Sequence, residues 1–274
     1  MATGMLSRGL AVLQRLVGAP DGLPLSRIAE EVDLPKSAAH RILTTLTEEG
    51  FVQQMESGNY ALTLRIASLG LRHLASSTVF ELALPVLSKL ANESGQLVRL
   101  GLVDGEQLLW VAKSQGAKAG LRYEPDPDHG SEIPFASTAS GLAWLSCLQD
   151  EQALRLVARQ EPDDRHPIGQ NVPKTLVEVQ SRIHEARKRG WARVHNSFED
   201  GISAMAAPLS NPDTGKALGV VSIAGPSLQL TDDRMEELAP ALMATAAELS
   251  GISGSLSTEL QSRNGRASSL SFSR

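Results

Sequence analysis

Residues 25–52, LSRIAEEVDLPKSAAHRILTTLTEEGFV, hold two short helical patterns separated only by DLPK. So short a break keeps the two helices side by side, and their apolar faces must pack on each other. The first pattern offers Ile28, Ala29 and Val32, with Ser26 as its expected N-cap and Glu30 four places on. The second is predicted to run from about Ser37 to Glu49 and to stop at Gly50. At about 100° per residue, Ala38, Ala39, Ile42, Leu43 and Leu46 fall within an arc of roughly 140°. Ser37, His40, Arg41, Thr44 and Thr47 take the opposite arc.

Two helices joined in this way match a helix-turn-helix. In that motif the second helix lies in the major groove of double-stranded DNA, with its first turn at the base edges. Arg41 suits a guanine edge through two hydrogen bonds. Ser37, His40 and Thr44 are short enough to allow close approach, and Lys36 with the helix N-terminus suits phosphate. A solvated face of a small helical bundle is the plainer reading of the same residues. The order of neighbouring elements favours the DNA reading. Before the pair, SRGLAVLQRLVG places Leu10, Leu13 and Val17 on one helical face, with Gly18 as the stop. After it, FVQQM and YALT read as two short strands around Gly58 and Asn59, the wing of a winged helix-turn-helix. LRIASLGLRHLASS is then a leucine-rich linker helix.

The remainder changes character. Asp104-Gly105 between apolar runs predicts a hairpin. STASGLAWLSCL, DEQALRLVARQ and PKTLVEVQSRIHEARKRG read as helices, the last closed by Gly190. WARVH, ISAMAAPLS and KALGVVSIAG read as strands, and TDDRMEELAPALMATAAELSGI as a final helix capped by Thr231. Strands and helices mix without strict alternation, which predicts an α+β unit on an antiparallel sheet. The expected organisation is a DNA-binding domain over 1–62, a linker helix over 63–78, a sheet domain over 79–252 and a disordered, serine-rich tail over 253–274.

Charge tempers the DNA reading. The net charge is −5, and residues 1–75 hold seven Lys or Arg against seven Asp or Glu. The wing turn carries Glu56. Phosphate affinity per subunit is therefore expected to be modest, with several subunits sharing one site. The single cysteine, Cys147, rules out an internal disulfide; it is expected to be a buried small hydrophobe in a reducing, cytoplasmic protein. No signal peptide or membrane span is read in the sequence.

Catalysis finds little support. His129, His166, His184 and His195 are scattered without metal-ligand spacing, and neither a GxSxG elbow nor a P-loop occurs. Glu199 and Asp200, before Gly201, read as a turn. No catalytic residue, metal or cofactor is expected.

LSRGLAVLQRLV, LSRIAEEVDLPKSAAHRILTTLTEEGFV and YALTLRIASLG resemble the N-terminal half of IclR-type bacterial transcription regulators. IPFASTASGLAWLSCL, EARKRGWARVHNSFEDGISAMAAPLSN and GVVSIAGPSLQLTDDRMEEL resemble that family's effector domain. The resemblance implies a winged helix-turn-helix, a linker helix and a GAF-like domain that binds a small molecule. It also implies a homodimer or dimer of dimers on palindromic promoter operators in the bacterial nucleoid. Carried over, Ala139 and Ser140 would offer backbone N–H groups to a carboxylate, Ser222 a hydroxyl, and Ile202, Ala204 and Ala224 a wall, with Val194 opposite. Members that sense small oxo-acids often have an acid at the place of Val194, a cysteine at Ala204 and a serine at Ala224, and the family's frequent His and Lys flanking the STASGLAWLSCL helix appear here as Ala136 and Leu142. These departures predict a larger or less polar ligand, such as an aromatic or alicyclic acid. The alternative is a C-terminal domain that only oligomerises.

Overall fold

The computed structural model describes residues 4–75, 79–125, 130–160 and 169–268. His129, His166, residues 76–78 of the expected linker and residues 269–274 of the expected tail lie outside them. The chain divides into two units, Met1–Ser77 and Thr78–Arg274.

The first unit runs α1 (Met5–Val17), α2 (Leu25–Glu31), α3 (Lys36–Glu48), β1 (Val52–Gln54), β2 (Tyr60–Leu62) and α4 (Leu64–Ala75). Its core joins Val12, Leu16, Leu23, Ile28, Ile42, Leu43, Val52 and Tyr60. The expected inner face of α1 is corrected here. Val12 and Leu16 are buried, whereas Leu10 and Val17 are 51% and 68% exposed. Helix α1 is apolar on both sides, so periodicity alone could not choose. The Val12 side packs against Ile28, Ile42 and Leu43 of the neighbouring helices, with Leu13 at its margin.

The cap of α2 is also corrected: Ser26 lies inside the helix, and Pro24 takes the N-cap position without a side-chain bond. The Pro24 carbonyl accepts from the amides of Arg27 and Ile28, and the fixed φ of proline suits helix entry. The break before α3 is a Schellman motif. Asp33 is left-handed at φ 51°, its amide donates to Glu30 O, and the Leu34 amide donates to Ala29 O at 2.8 Å. Leu34 then packs on the core, and Pro35 opens α3. The same motif ends α3, with Gly50 at φ 73° and the Phe51 amide on Leu46 O at 2.9 Å.

The second unit holds an antiparallel sheet in the order β4-β3-β7-β6-β5. Its strands are β3 (Leu97–Asp104), β4 (Gln107–Gln115), β5 (Ala192–His195), β6 (Ile202–Ser210) and β7 (Ala217–Pro226). Alternation sends Val98, Leu100, Met205, Ala207, Val221 and Ile223 to one face, against α5 (Val79–Ser94) and α9 (Asp232–Ser268). The other face buries Leu108, Trp110, Val194, Ala206 and Val220 against α6 (Ala139–Leu145), α7 (Asp150–Arg159) and α8 (Leu176–Arg189). Helices on both faces of an antiparallel sheet, behind a helix-turn-helix unit, make the α+β fold expected from the sequence.

The β3–β4 hairpin turns through Gly105 and Glu106, with positive φ only at Gly105, the placement of a type II′ turn. Across this pair Leu100 faces Ala112 but Gly101 faces Trp110, so Val111 forms a β-bulge. The final helix does not stop near residue 252. It continues to Ser268, where a disordered tail was expected. Cys147 is exposed and not buried: α6 ends at Leu145, and the cysteine falls in the turn after it.

Candidate nucleic-acid interface and ligand pocket

Helix α3 presents Lys36, Ser37, His40, Arg41, Thr44 and Thr47 on its exposed side, while Ala39, Ile42 and Leu43 are buried. The structure thus brings the five residues expected at DNA to one surface, and Arg41 has no ion-pair partner among the described residues. The threonines behave differently from a set of free donors. Thr44 donates to His40 O at 3.0 Å, Thr45 to Arg41 O at 3.2 Å and Thr47 to Leu43 O at 2.8 Å. Their protons serve the helix itself, which leaves methyl groups and acceptor lone pairs facing outward. Three other basic groups of this unit are occupied: Arg15 and Arg27 both pair with Glu31, and Arg65 stacks over Phe51 at 5.3 Å.

In the second unit, Ala139, Ser140, Val194, Ile202, Ala204 and Ala224 wall one small cavity. Ser222, the seventh residue expected there, does not reach it. It lies further along the same face of β7, 1% exposed, opposite Arg99 in the β3–β7 register, and its hydroxyl makes no hydrogen bond. Thr138 caps α6 by accepting from Gly141 N at 2.9 Å and donating to Pro134 O at 2.6 Å. Gly141 must be glycine, since a β-carbon would come within 2.3 Å of Phe135 O.

The remaining wall residues, Arg99, Tyr123, Thr138 and Phe198, were not identified from the sequence. Arg99 had a visible mark, a lone charge inside the apolar strand LVRLGLV. It is 7% exposed, and its guanidinium lies 4.0 Å from the ring centre of Trp110 and 5.9 Å from that of Tyr123. Tyr123 comes from an irregular strap after β4 and packs on Leu97 and Ala224. The cavity is about 20 Å³, room for a water and far below the volume of a metabolite site.

Outside the cavity, His195 sits between Ser203 Oγ, 2.8 Å from Nδ1, and Asp232 Oδ1, 2.9 Å from Nε2. The trio has the membership of a hydrolytic triad, but Ser203 is fully buried and donates to Ser227 at 2.9 Å. It fastens the β5–β6 pair to the start of α9. Asp200 accepts from Gln170 N, in keeping with a turn. No group of His, Cys, Asp and Glu among the described residues could hold a metal, and no described helix is long and apolar enough to cross a membrane.

Residues 71–251 match the family model described as the bacterial transcriptional regulator IclR C-terminal domain, and residues 5–56 match the IclR helix-turn-helix domain. The transcriptional repressor IclR of Escherichia coli is 27% identical over 252 residues, covering 90% of each chain. A crystal structure of an IclR-type transcriptional regulator from Silicibacter sp. TM1040 superposes with a TM-score of 0.77 at 25% identity, over 92% of this chain and 96% of that one. An IclR homologue from Microbacterium hydrocarbonoxydans, solved with 4-hydroxybenzoate, shares the fold with a TM-score of 0.71 at 20% identity, over 91% and 98% of the two chains.

Proposed function

The chain belongs to the IclR family of bacterial transcriptional regulators, and from that premise we propose that its second unit senses an organic acid and so modulates the grip of the first on operator DNA. Its N-terminal unit is a helix-turn-helix DNA-binding domain. Lys36 meets the backbone, while Ser37, His40, Arg41 and Thr44 meet base edges of a palindromic operator in the bacterial cytoplasm. Ala139, Ser140, Val194, Ile202, Ala204 and Ala224 form the sensing site. The observation that carries this reading is the convergence of those six residues on one cavity whose described wall holds a single charge, Arg99. The 4-hydroxybenzoate bound to the Microbacterium homologue is an acid of the expected class.

Oligomeric binding follows from the weak phosphate grip. Leu6 and Leu10 on α1 and Leu64 and Leu71 on α4 are exposed apolar side chains, material for self-association. DNA-binding domains paired in this way read two half-sites at once.

The small volume of the cavity favours a second reading, in which the C-terminal unit only oligomerises. A thermal-shift screen against aromatic and short oxo-acids separates the two. A sensor gains stability with ligand concentration by mass action, whereas a pure oligomerisation unit stays flat across the set.

A further inference from the structure

A hollow lies on the first unit between the start of α1 and one side of α3. Its walls are Met5 from the first turn of α1 and Arg41, Thr44 and Thr45 from α3. It holds about 270 Å³, against about 20 Å³ for the cavity of the second unit, so the edge of a base can enter it. Arg41, Thr44 and Thr45 stand at i, i+3 and i+4, neighbours in one row along the helix. All four wall residues are exposed. Met5 and Thr45 stand outside the set expected at DNA.

The hydrogen bonds of that row decide what the hollow can read. The Thr44 hydroxyl donates to His40 O at 3.0 Å and the Thr45 hydroxyl to Arg41 O at 3.2 Å. Each bond uses the one hydroxyl proton and fixes the side-chain rotamer, so each γ-methyl has a set direction. While its helix bond lasts, neither threonine donates to a thymine O4 or a purine N7. Both offer methyl surface and acceptor lone pairs instead. The Met5 thioether adds a second apolar wall, one that adapts its shape. Among the described wall residues Arg41 is the one charge, and its donor fork suits guanine O6 and N7. An apolar patch beside such a fork matches a thymine methyl next to a guanine. A phosphate is the poorer occupant: three of the four wall residues are neutral, and Glu48, next along the row, is an exposed carboxylate.

On the reading that α3 enters the major groove, we infer that this hollow takes the 5-methyl group of a thymine adjoining the guanine read by Arg41. Thr45 and Met5 then join Thr44 as specificity-determining residues, and each operator half-site holds a guanine and a thymine as neighbours. Thymine is the one base that carries a methyl group in the major groove. Cytosine leaves the hollow unfilled, although its N4 donor can meet a threonine lone pair, and the two bases are separable by experiment.

Selection of bound duplexes from a random pool by the full chain supplies the half-site, and Arg41→Ala marks the guanine by relaxing preference there. Each thymine is then replaced by deoxyuridine, which differs only in the lost methyl, and affinity is read by fluorescence anisotropy. The thymine beside that guanine should lose about threefold to tenfold in affinity when one half-site is changed, the worth of one buried methyl group. At the same place 5-methylcytosine should bind more tightly than cytosine. The double variant Thr44→Ser, Thr45→Ser deletes both methyls and keeps both hydroxyls, so it should abolish the preference for thymine over deoxyuridine. Met5→Ala should reduce that preference. Equal binding of thymine and deoxyuridine at every position overturns the inference. So does tighter binding of cytosine than of 5-methylcytosine, or a serine double variant that melts like the wild type and keeps the preference. If the double variant does not fold, the base substitutions on the wild type and on Met5→Ala decide alone. A smaller salt dependence in Arg41→Ala with unchanged base preference assigns the hollow to a phosphate and overturns the inference. Failure to select any sequence overturns the base-reading role of α3, and the inference with it.

Discussion

His184 Nε2 lies 2.6 Å from Asp150 Oδ2, which ties the middle of α8 to the first turn of α7. Gln180 and Arg187 reach the same carboxylate, at 3.0 and 2.9 Å. The hydrogen bond from His184 leads, with those of Gln180 and Arg187 behind it, and together they hold the Asp150 carboxyl down to about 2. A carboxyl lowered by folding stabilises the fold above its unfolded value of about 3.9, and that stabilisation is lost as pH falls through the folded value. Thermal melts of the wild type should therefore lose stability between about pH 4 and pH 2. In Asp150→Asn the melting temperature should drop at neutral pH, and the difference from wild type should shrink across that window. A constant difference at every pH would falsify the role given to this carboxylate.

Arg41→Ala should weaken operator binding by about 1–3 kcal/mol and relax the preference at one base pair. Arg41 is exposed and has no ion-pair partner among the described residues, so the loss falls on the DNA and not on the fold. A gel-shift series over operator variants reads both effects; unchanged preference removes Arg41 from the base-reading set.

Thr44→Val should keep operator affinity close to that of the wild type, because the Thr44 hydroxyl proton already belongs to His40 O. Thr44→Asn, which replaces the methyl by a longer amide, should alter base preference instead. The same gel-shift series distinguishes them, and a large loss with valine shows that the hydroxyl reads DNA as an acceptor.

Gly141→Ala should destabilise the second unit by about 1–3 kcal/mol or more, since the new methyl meets Phe135 backbone at 2.3 Å. Circular dichroism melts measure it. A melting temperature equal to wild type would show that the 134–138 turn yields freely.

Much of the fold was legible because local chemistry and tertiary packing agree there. The DLPK break, the Gly50 stop and the Gly190 stop each place a chain reversal where a left-handed residue or a proline demands one. The errors fall where two local readings were degenerate. Leu10, Leu13 and Val17 fit a helical period as well as Val12 and Leu16 do, and only tertiary packing separates the two sets. Ser26 was a good cap by type, but Pro24 set the helix entry two residues earlier. Around the cavity, six of seven expected wall residues come together. Ser222 misses by depth along its strand, which no pattern of residue types encodes. Arg99 was passed over because a charge in a strand is ordinarily an outward one, and Tyr123 because an irregular strap carries no period.

The extra residue at Val111 has a bearing on how the Trp110–Arg99 pair is set. Leu108 and Trp110 point to one side of β4 and Ala112 to the other, with Val111 sharing the side of Ala112. Deleting Val111 would restore a regular strand without moving any of those side chains to the wrong face. What the insertion supplies is therefore added twist, applied beside the indole under Arg99. The angle at which the guanidinium meets the indole is thus adjustable by strand length, independently of any change in the residues lining the cavity.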